Sequence, residues 1–293
     1  MNPILLCYLL LFVSVVTDTL RNVYNNHFGK NLLITTRDAM LFNVVCSAGA
    51  SVFFVVLGSP LRISSYSMIL ALIFAAVTAL AQYLSIMALA TGPMSYSVLF
   101  TYLGMLIPTV YGIIDTHTAP SVCQYIGLAL MIVTFFLCSD LKKDASVGGK
   151  WLFFAFGSFV GWGLVGVCQY VHQASPHAGE IKGFLLWTFL FTTVLFVVLY
   201  FLVPRDKEKK DGYRFLTRST PLVLISGVII GAVNFINLYL AGKLPPVIFY
   251  PIVNGGVIIL AIVAAFVFYR EKPDTKKLIG LVAGLAATIL LGF

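Results

Sequence analysis

Residues 82–104 read QYLSIMALATGPMSYSVLFTYLG, and residues 234–256 read NFINLYLAGKLPPVIFYPIVNGG. Laid one over the other, they agree at the positions that carry information. Gln82 meets Asn234 and Ser85 meets Asn237. Pro93 meets Pro245, Tyr102 meets Asn254, and Gly104 meets Gly256. Apolar helices align easily by chance. Polar residues meeting polar residues, with a proline and a glycine in register, do not. After one inserted residue, Ile126-Gly127-Leu128 meets Ile279-Gly280-Leu281, and a weaker match joins Phe12-Val13 to Phe159-Val160.

Outward from these stretches the chain resolves into ten apolar runs, at about 3–28, 31–58, 65–91, 93–114, 121–139, 150–174, 181–203, 219–242, 245–269 and 275–292. Most are long enough to cross a hydrocarbon core, which takes about 20 helical residues. They are continuous, without the alternation of a barrel strand. Of the 293 residues, 60% are hydrophobic and only 10% charged, against about 25% charged in a soluble domain. The expected fold class is an all-α membrane protein with ten transmembrane helices in two inverted five-helix repeats. Residues 1–140 form the first repeat and 150–293 the second, within one integral membrane domain. Five is an odd number, so the second repeat enters the membrane from the opposite side. Such repeats build transporters with a site near the midplane.

The N-terminal Met1-Asn2-Pro3 lacks the basic region of a signal peptide, so the first run reads as a retained helix. Net charge is +8. The basic residues sit between the apolar runs, which makes this a topology signal rather than a nucleic-acid surface. Of the 19 Lys and Arg, all but Arg62, Lys182 and Lys243 fall around the loops joining spans 1–2, 5–6, 7–8 and 9–10. That puts these loops in the cytoplasm and both termini outside.

The stretch Pro246-Val247-Ile248-Phe249-Tyr250-Pro251-Ile252-Val253, the turn Phe268-Tyr269-Arg270-Glu271-Lys272 and the following Leu278-Ile279-Gly280 carry a family resemblance. They resemble the ten-helix EamA-type members of the drug/metabolite transporter superfamily, and also the small multidrug resistance proteins. Arg37 and Arg21 resemble basic residues that the family places at the head of helix 2 and the end of helix 1. Gly161-Trp162-Gly163 resembles its Trp-Gly-Ser-type motif, whose helix-1 counterpart is replaced by Val13-Ser14-Val15. Tyr269 and Arg270 depart from the family's Gly-Glu turn, and Asp115-Thr116-His117-Thr118 lacks that turn. The resemblance implies secondary transport, with export the usual direction, and cytoplasmic termini, opposite to the charge count.

Ionisable groups inside a bilayer are costly, so they mark candidate sites. Asp18 either binds a proton or a cationic substrate, as the lone helix-1 carboxylate does in the small multidrug resistance proteins, or pairs with Arg21 on the same face. Gln82/Ser85 and Asn234/Asn237 each occupy one helical face, as cavity lining or as interhelical glue. Tyr102, Tyr250 and Asn254 join them from spans 4 and 9, where Pro108 and Pro251 interrupt the helices as cavity-lining breaks or packing kinks. Trp162, with Gln169 and Tyr170 nearby, sits too deep for the interfacial belt, whereas Trp151 reads as a belt residue. Trp162 either packs in the core or joins Tyr102 and Tyr250 in an aromatic wall. The substrate-binding candidates are therefore Gln82, Tyr102, Trp162, Asn234, Tyr250 and Asn254, with Asp18 and Arg21 as the coupling or ion-pair residues.

No catalytic or metal site is expected. There is no phosphate-binding Gly-rich loop, no His-Glu-x-x-His and no Gly-x-Ser-x-Gly. The five cysteines and four histidines lack metal-ligand spacing. The GxxxG pairs Gly157/Gly161, Gly227/Gly231 and Gly280/Gly284 serve close helix packing, within a monomer or across a homodimer. The reading is a non-enzymatic secondary transporter of a small organic metabolite, amino acid or amine. It needs no cofactor and no nucleic acid, takes a proton as the candidate coupling ion, sits among membrane lipid, and is a multi-pass protein of the plasma membrane. The alternative is a membrane-embedded enzyme or flippase acting on a lipid head group, for which Asp115 with His117 is the pair that starts a site.

Overall fold

The computed structural model of the chain describes residues 3–32, 35–91, 94–117, 119–138, 148–204, 220–269 and 275–293. The Arg270-Glu271-Lys272 turn, Pro93 and the basic run 205–218 lie outside the described residues. All described regular structure is helical: α1 (Pro3–Leu32), α2 (Thr36–Val56), α3 (Ser65–Thr91), α4 (Met94–Leu103), α5 (Leu106–Thr116), α6 (Val122–Cys138), α7 (Gly149–Ala174), α8 (Ile181–Leu202), α9 (Thr220–Ala241), α10 (Pro246–Tyr269) and α11 (Thr275–Leu291), with one 3-10 turn at Ala178–Glu180. Among the described residues six spans are long and apolar enough to cross a membrane, the joined α4–α5 stretch among them, and α6, α10 and α11 contribute shorter apolar stretches. With α1 they make the ten helices of an all-α membrane protein.

The fourth span is broken, and the break corrects the expected position. It lies at Gly104-Met105 rather than at Pro108. Proline lacks an N–H and its ring clashes with the carbonyl four residues earlier, here that of Gly104. The ladder tightens instead: Gly104 and Met105 donate to the Thr101 and Tyr102 carbonyls, and Ile107 donates to Gly104 at 3.1 Å. Pro251 does not interrupt its helix; α10 continues through it. It sits just past the first turn, where few hydrogen bonds precede it and little ladder is lost.

Packing follows an exchange rule. Number the spans one to ten and swap each with the span five along. The α3–α7 pair then becomes α9–α1, α2–α9 becomes α8–α3, and the packing of α4 and α5 on α7 becomes that of α10 on α1. The pairs α2–α8, α5–α10 and α6–α11 map onto themselves. All of these pairs are present. The consequence is interleaving: α7 and α8 of the second half pack with α3 to α5, while α1 and α2 pack with α9 and α10.

Small residues make these crossings possible. A side chain at Gly227 would strike the Cys46 carbonyl, and one at Gly49 would lie 2.6 Å from the Leu224 oxygen. Gly161 likewise faces Ala81 and Gly157 faces Leu84, so these GxxxG positions are spent within the chain.

Side-chain ties fix both ends of α8. Thr35 and Asp38 form a reciprocal capping box that starts α2. Arg37 donates its Nε to the Val203 carbonyl at 3.1 Å and lies over the Tyr200 ring. At the other end, Glu180 accepts from the Ser64 hydroxyl at 2.7 Å and from its backbone N–H, and Trp187 donates to the Leu61 carbonyl. Trp151 corrects another expectation. It is 3% exposed and its indole N–H donates to Ser97 at 2.9 Å, so it is packed against α4 rather than set in an interfacial belt.

Candidate functional site

Eight of the ten spans surround one cavity of about 420 Å³; only α6 and α11 contribute nothing to its lining. Each helix presents one stripe. Phe74, Thr78 and Gln82 are spaced by four on α3. Trp162, Val165, Gly166 and Gln169 on α7 repeat the spacing of Ile230, Val233, Asn234 and Asn237 on α9. That shared spacing is the helical period of 3.6 residues. All eight residues singled out from the sequence lie on the wall: Asp18, Arg21, Gln82, Tyr102, Trp162, Asn234, Tyr250 and Asn254. Asn43 and Ser47 of α2, Thr101 of α4, and Thr188 and Thr192 of α8 add to the polar lining.

The polar groups divide by how their hydrogen bonds are used. Asn43, Asn234 and Asn254 each donate the amide N–H to the carbonyl one turn back, at 2.7, 2.9 and 2.9 Å. Their amide oxygens are the groups left for a ligand. Asn237 does the reverse, accepting from the Ser14 hydroxyl at 2.5 Å. Among the described residues, Gln82 and Gln169 have no side-chain hydrogen bond. Asp18 and Arg21 pair at 2.6 Å, with about a fifth of each side chain accessible.

The aromatic wall is more constrained than the residue types suggest. The Trp162 indole donates to Ser85 at 2.9 Å. Ser85 and Thr101 each lie within 3.0 Å of the Ser158 hydroxyl. This chain of hydroxyls locks the indole between α3, α4 and α7. Ser85 is thus behind the wall, not on it. The Tyr250 hydroxyl donates to the Gly166 carbonyl at 2.8 Å, and a side chain at Gly166 would collide with Pro108. Tyr250 therefore offers the cavity a ring face and keeps its hydroxyl for the α7–α10 contact. Tyr102 lines the cavity and is partly buried.

Asp115 does not face His117. Its carboxylate accepts from the Tyr170 hydroxyl at 2.8 Å, while His117 sits at the left-handed C-cap of α5. Among the described residues, no group of three His, Cys, Asp or Glu side chains is placed to hold a metal.

Residues 149–293 match the model of the EamA-like transporter family. One solved crystal structure, described only as that of a protein, is similar across 97% of this chain and 95% of its own, with a TM-score of 0.75 at 12% identity. That likeness bears on the fold. No curated protein matches the sequence significantly. The chain is a member of the EamA-like transporters of the drug/metabolite transporter superfamily, the sequence match being carried by its second half. It is accordingly a multi-pass membrane protein that transports a small molecule.

Proposed function

We propose that this protein is a secondary transporter, working as an exporter in the plasma membrane, for a small polar metabolite of the amino-acid or amine class. The observation that carries this reading is the central cavity walled by eight spans. Its lining combines the Asp18–Arg21 pair, three asparagines whose amide N–H is spent on their own helix, and two glutamines with no side-chain partner among the described residues. Amide oxygens and a carboxylate are acceptors, and an ammonium group offers three donors to them. Arg21 lines the same cavity, and a guanidinium pairs with carboxylates. Interleaved packing suggests that the moving bodies are α3–α5 with α7 and α8 against α9 and α10 with α1 and α2. A proton is the coupling ion this reading favours, with Asp18 as its candidate carrier. It takes Gln82, Tyr102, Trp162, Asn234, Tyr250 and Asn254 as the substrate wall.

The test begins with a thermal-shift screen of purified protein against amino acids, amines, nucleosides and sugars, since a ligand of the folded state raises its stability. Hits are then followed as radiolabelled counterflow in proteoliposomes. Asn254→Ala and Gln82→Ala are expected to raise the half-saturating concentration about tenfold. Transport unchanged in the double variant would remove the cavity from the mechanism.

A further inference from the structure

A second cleft lies where α3, α5 and α7 meet Ser175, Pro176 and His177. Its walls are Tyr66, Tyr111, Tyr170, His177 and Asp115. We propose that this cleft binds an organic monocation with a small alkylammonium head, in free form or as a lipid headgroup.

The carboxylate and the rings converge. Tyr170 is buried and its hydroxyl donates to Asp115 Oδ2 at 2.8 Å, which fixes the carboxylate while Asp115 stays exposed to the cleft. Tyr111 meets the Tyr170 ring edge to face at 5.8 Å. Tyr66 stacks on His177 at 5.4 Å. Ring faces attract an alkylammonium through their quadrupoles, and the carboxylate supplies a full countercharge. No Lys or Arg lines the cleft among the described residues. His177 has its own acid, Glu180, 3.9 Å away.

Tyrosines at a membrane end are commonly belt residues that face headgroups singly. These differ, because three of them line one cleft together with an acid, and one of the three holds that acid by a hydrogen bond. The cluster also breaks the internal repeat. At the register of the aligned halves, Tyr111 and Asp115 fall opposite Val263 and Val267. The cleft is therefore not inherited from the symmetry that shapes the central cavity. The two sites share no lining residue. Pro108 and Gly166 line the cavity, and Asp115 and Tyr170 the cleft, about 10 Å further along α5 at 1.5 Å per residue.

The experiment measures radiolabelled choline binding to the purified full chain in a maltoside detergent. Tetramethylammonium should compete, and the uncharged isostere 3,3-dimethylbutan-1-ol should compete at least tenfold more weakly. This arm needs no variant. Asp115→Asn and, at an exposed position, Tyr111→Leu should each weaken choline about tenfold. Equal competition by the neutral isostere would overturn the proposal, as would undiminished binding in Tyr111→Leu. Loss of choline binding in Asn254→Ala with none in Tyr111→Leu would assign the cation to the central cavity and overturn it too. In nanodiscs, binding suppressed by phosphatidylcholine but not by phosphatidylglycerol identifies the headgroup as occupant. Binding in both identifies a free cation.

Discussion

Asp18 and Arg21 close a 2.6 Å ion pair one turn apart on α1, and both line the central cavity. The pair is carried by a single helix, so its geometry does not depend on how the surrounding helices move. Its partial exposure to the cavity keeps both charges within reach of water or substrate.

Removing the carboxylate is expected to act first on folding. Asp18→Asn takes away the countercharge of a mostly buried guanidinium, a change that costs about 3 kcal/mol for a buried pair. The readout is the monodisperse yield on gel filtration together with the melting temperature. Asp18→Asn with Arg21→Gln should recover most of the loss. A well-folded Asp18→Asn protein with normal uphill transport would take Asp18 out of the coupling mechanism.

Tyr250→Phe keeps the ring that faces the cavity and deletes the donor to the Gly166 carbonyl. A buried carbonyl left without its partner costs about 1–3 kcal/mol. The melting temperature should fall while ligand affinity changes by less than threefold. A large loss of affinity at unchanged stability would mean that the hydroxyl serves the ligand and not the helix contact.

Gly227→Val places a branched side chain against the Cys46 carbonyl at the α2–α9 crossing. Backbone cannot yield there without separating the helices, so folded yield should collapse. Gly58→Ala tests the opposite case: its surroundings are open but its φ is +69°, where only a modest cost of about 1 kcal/mol is expected.

The basic loops give a topology test. In a cysteine-free background, cysteines at Lys209 and Lys272 should resist an impermeant thiol reagent in intact cells, and one at Arg62 should label quickly. The reverse pattern would put both termini in the cytoplasm.

Much of the cavity was legible because amides, carboxylates and deep aromatics are rare within apolar runs and have few places to go. Gln82, Asn234 and Asn254 stand out for that reason. Asn43 carried the same signal, a lone amide inside a span, but it has no counterpart in the repeat comparison that drew attention to the others. Thr188 and Thr192 were silent for a different reason. Each donates its hydroxyl to its own helix, to the Phe184 and Thr188 carbonyls. Such a residue is tolerated on any face, so its presence says nothing about direction. The break at Gly104-Met105 was displaced from Pro108 because proline acts on the carbonyl four residues before it. Trp151 was misread since the hydroxyl that accepts its N–H, Ser97, lies on a helix more than fifty residues earlier in the chain. Interleaving could not be read at all, because helix partners are set by side-chain fit across the bundle and leave no pattern along one strand of sequence.

The packing of α1 has a consequence for biosynthesis. Its partners are α9 and α10, so when the first span leaves the ribosome the chain from Leu32 to Thr220 has still to be made. For that interval α1 must reside in lipid without the helices that later enclose it. An acid whose counter-ion lay on α9 would spend the interval uncompensated. By holding Asp18 and Arg21 on one turn, the nascent helix arrives already neutralised and can wait for the rest of the protein.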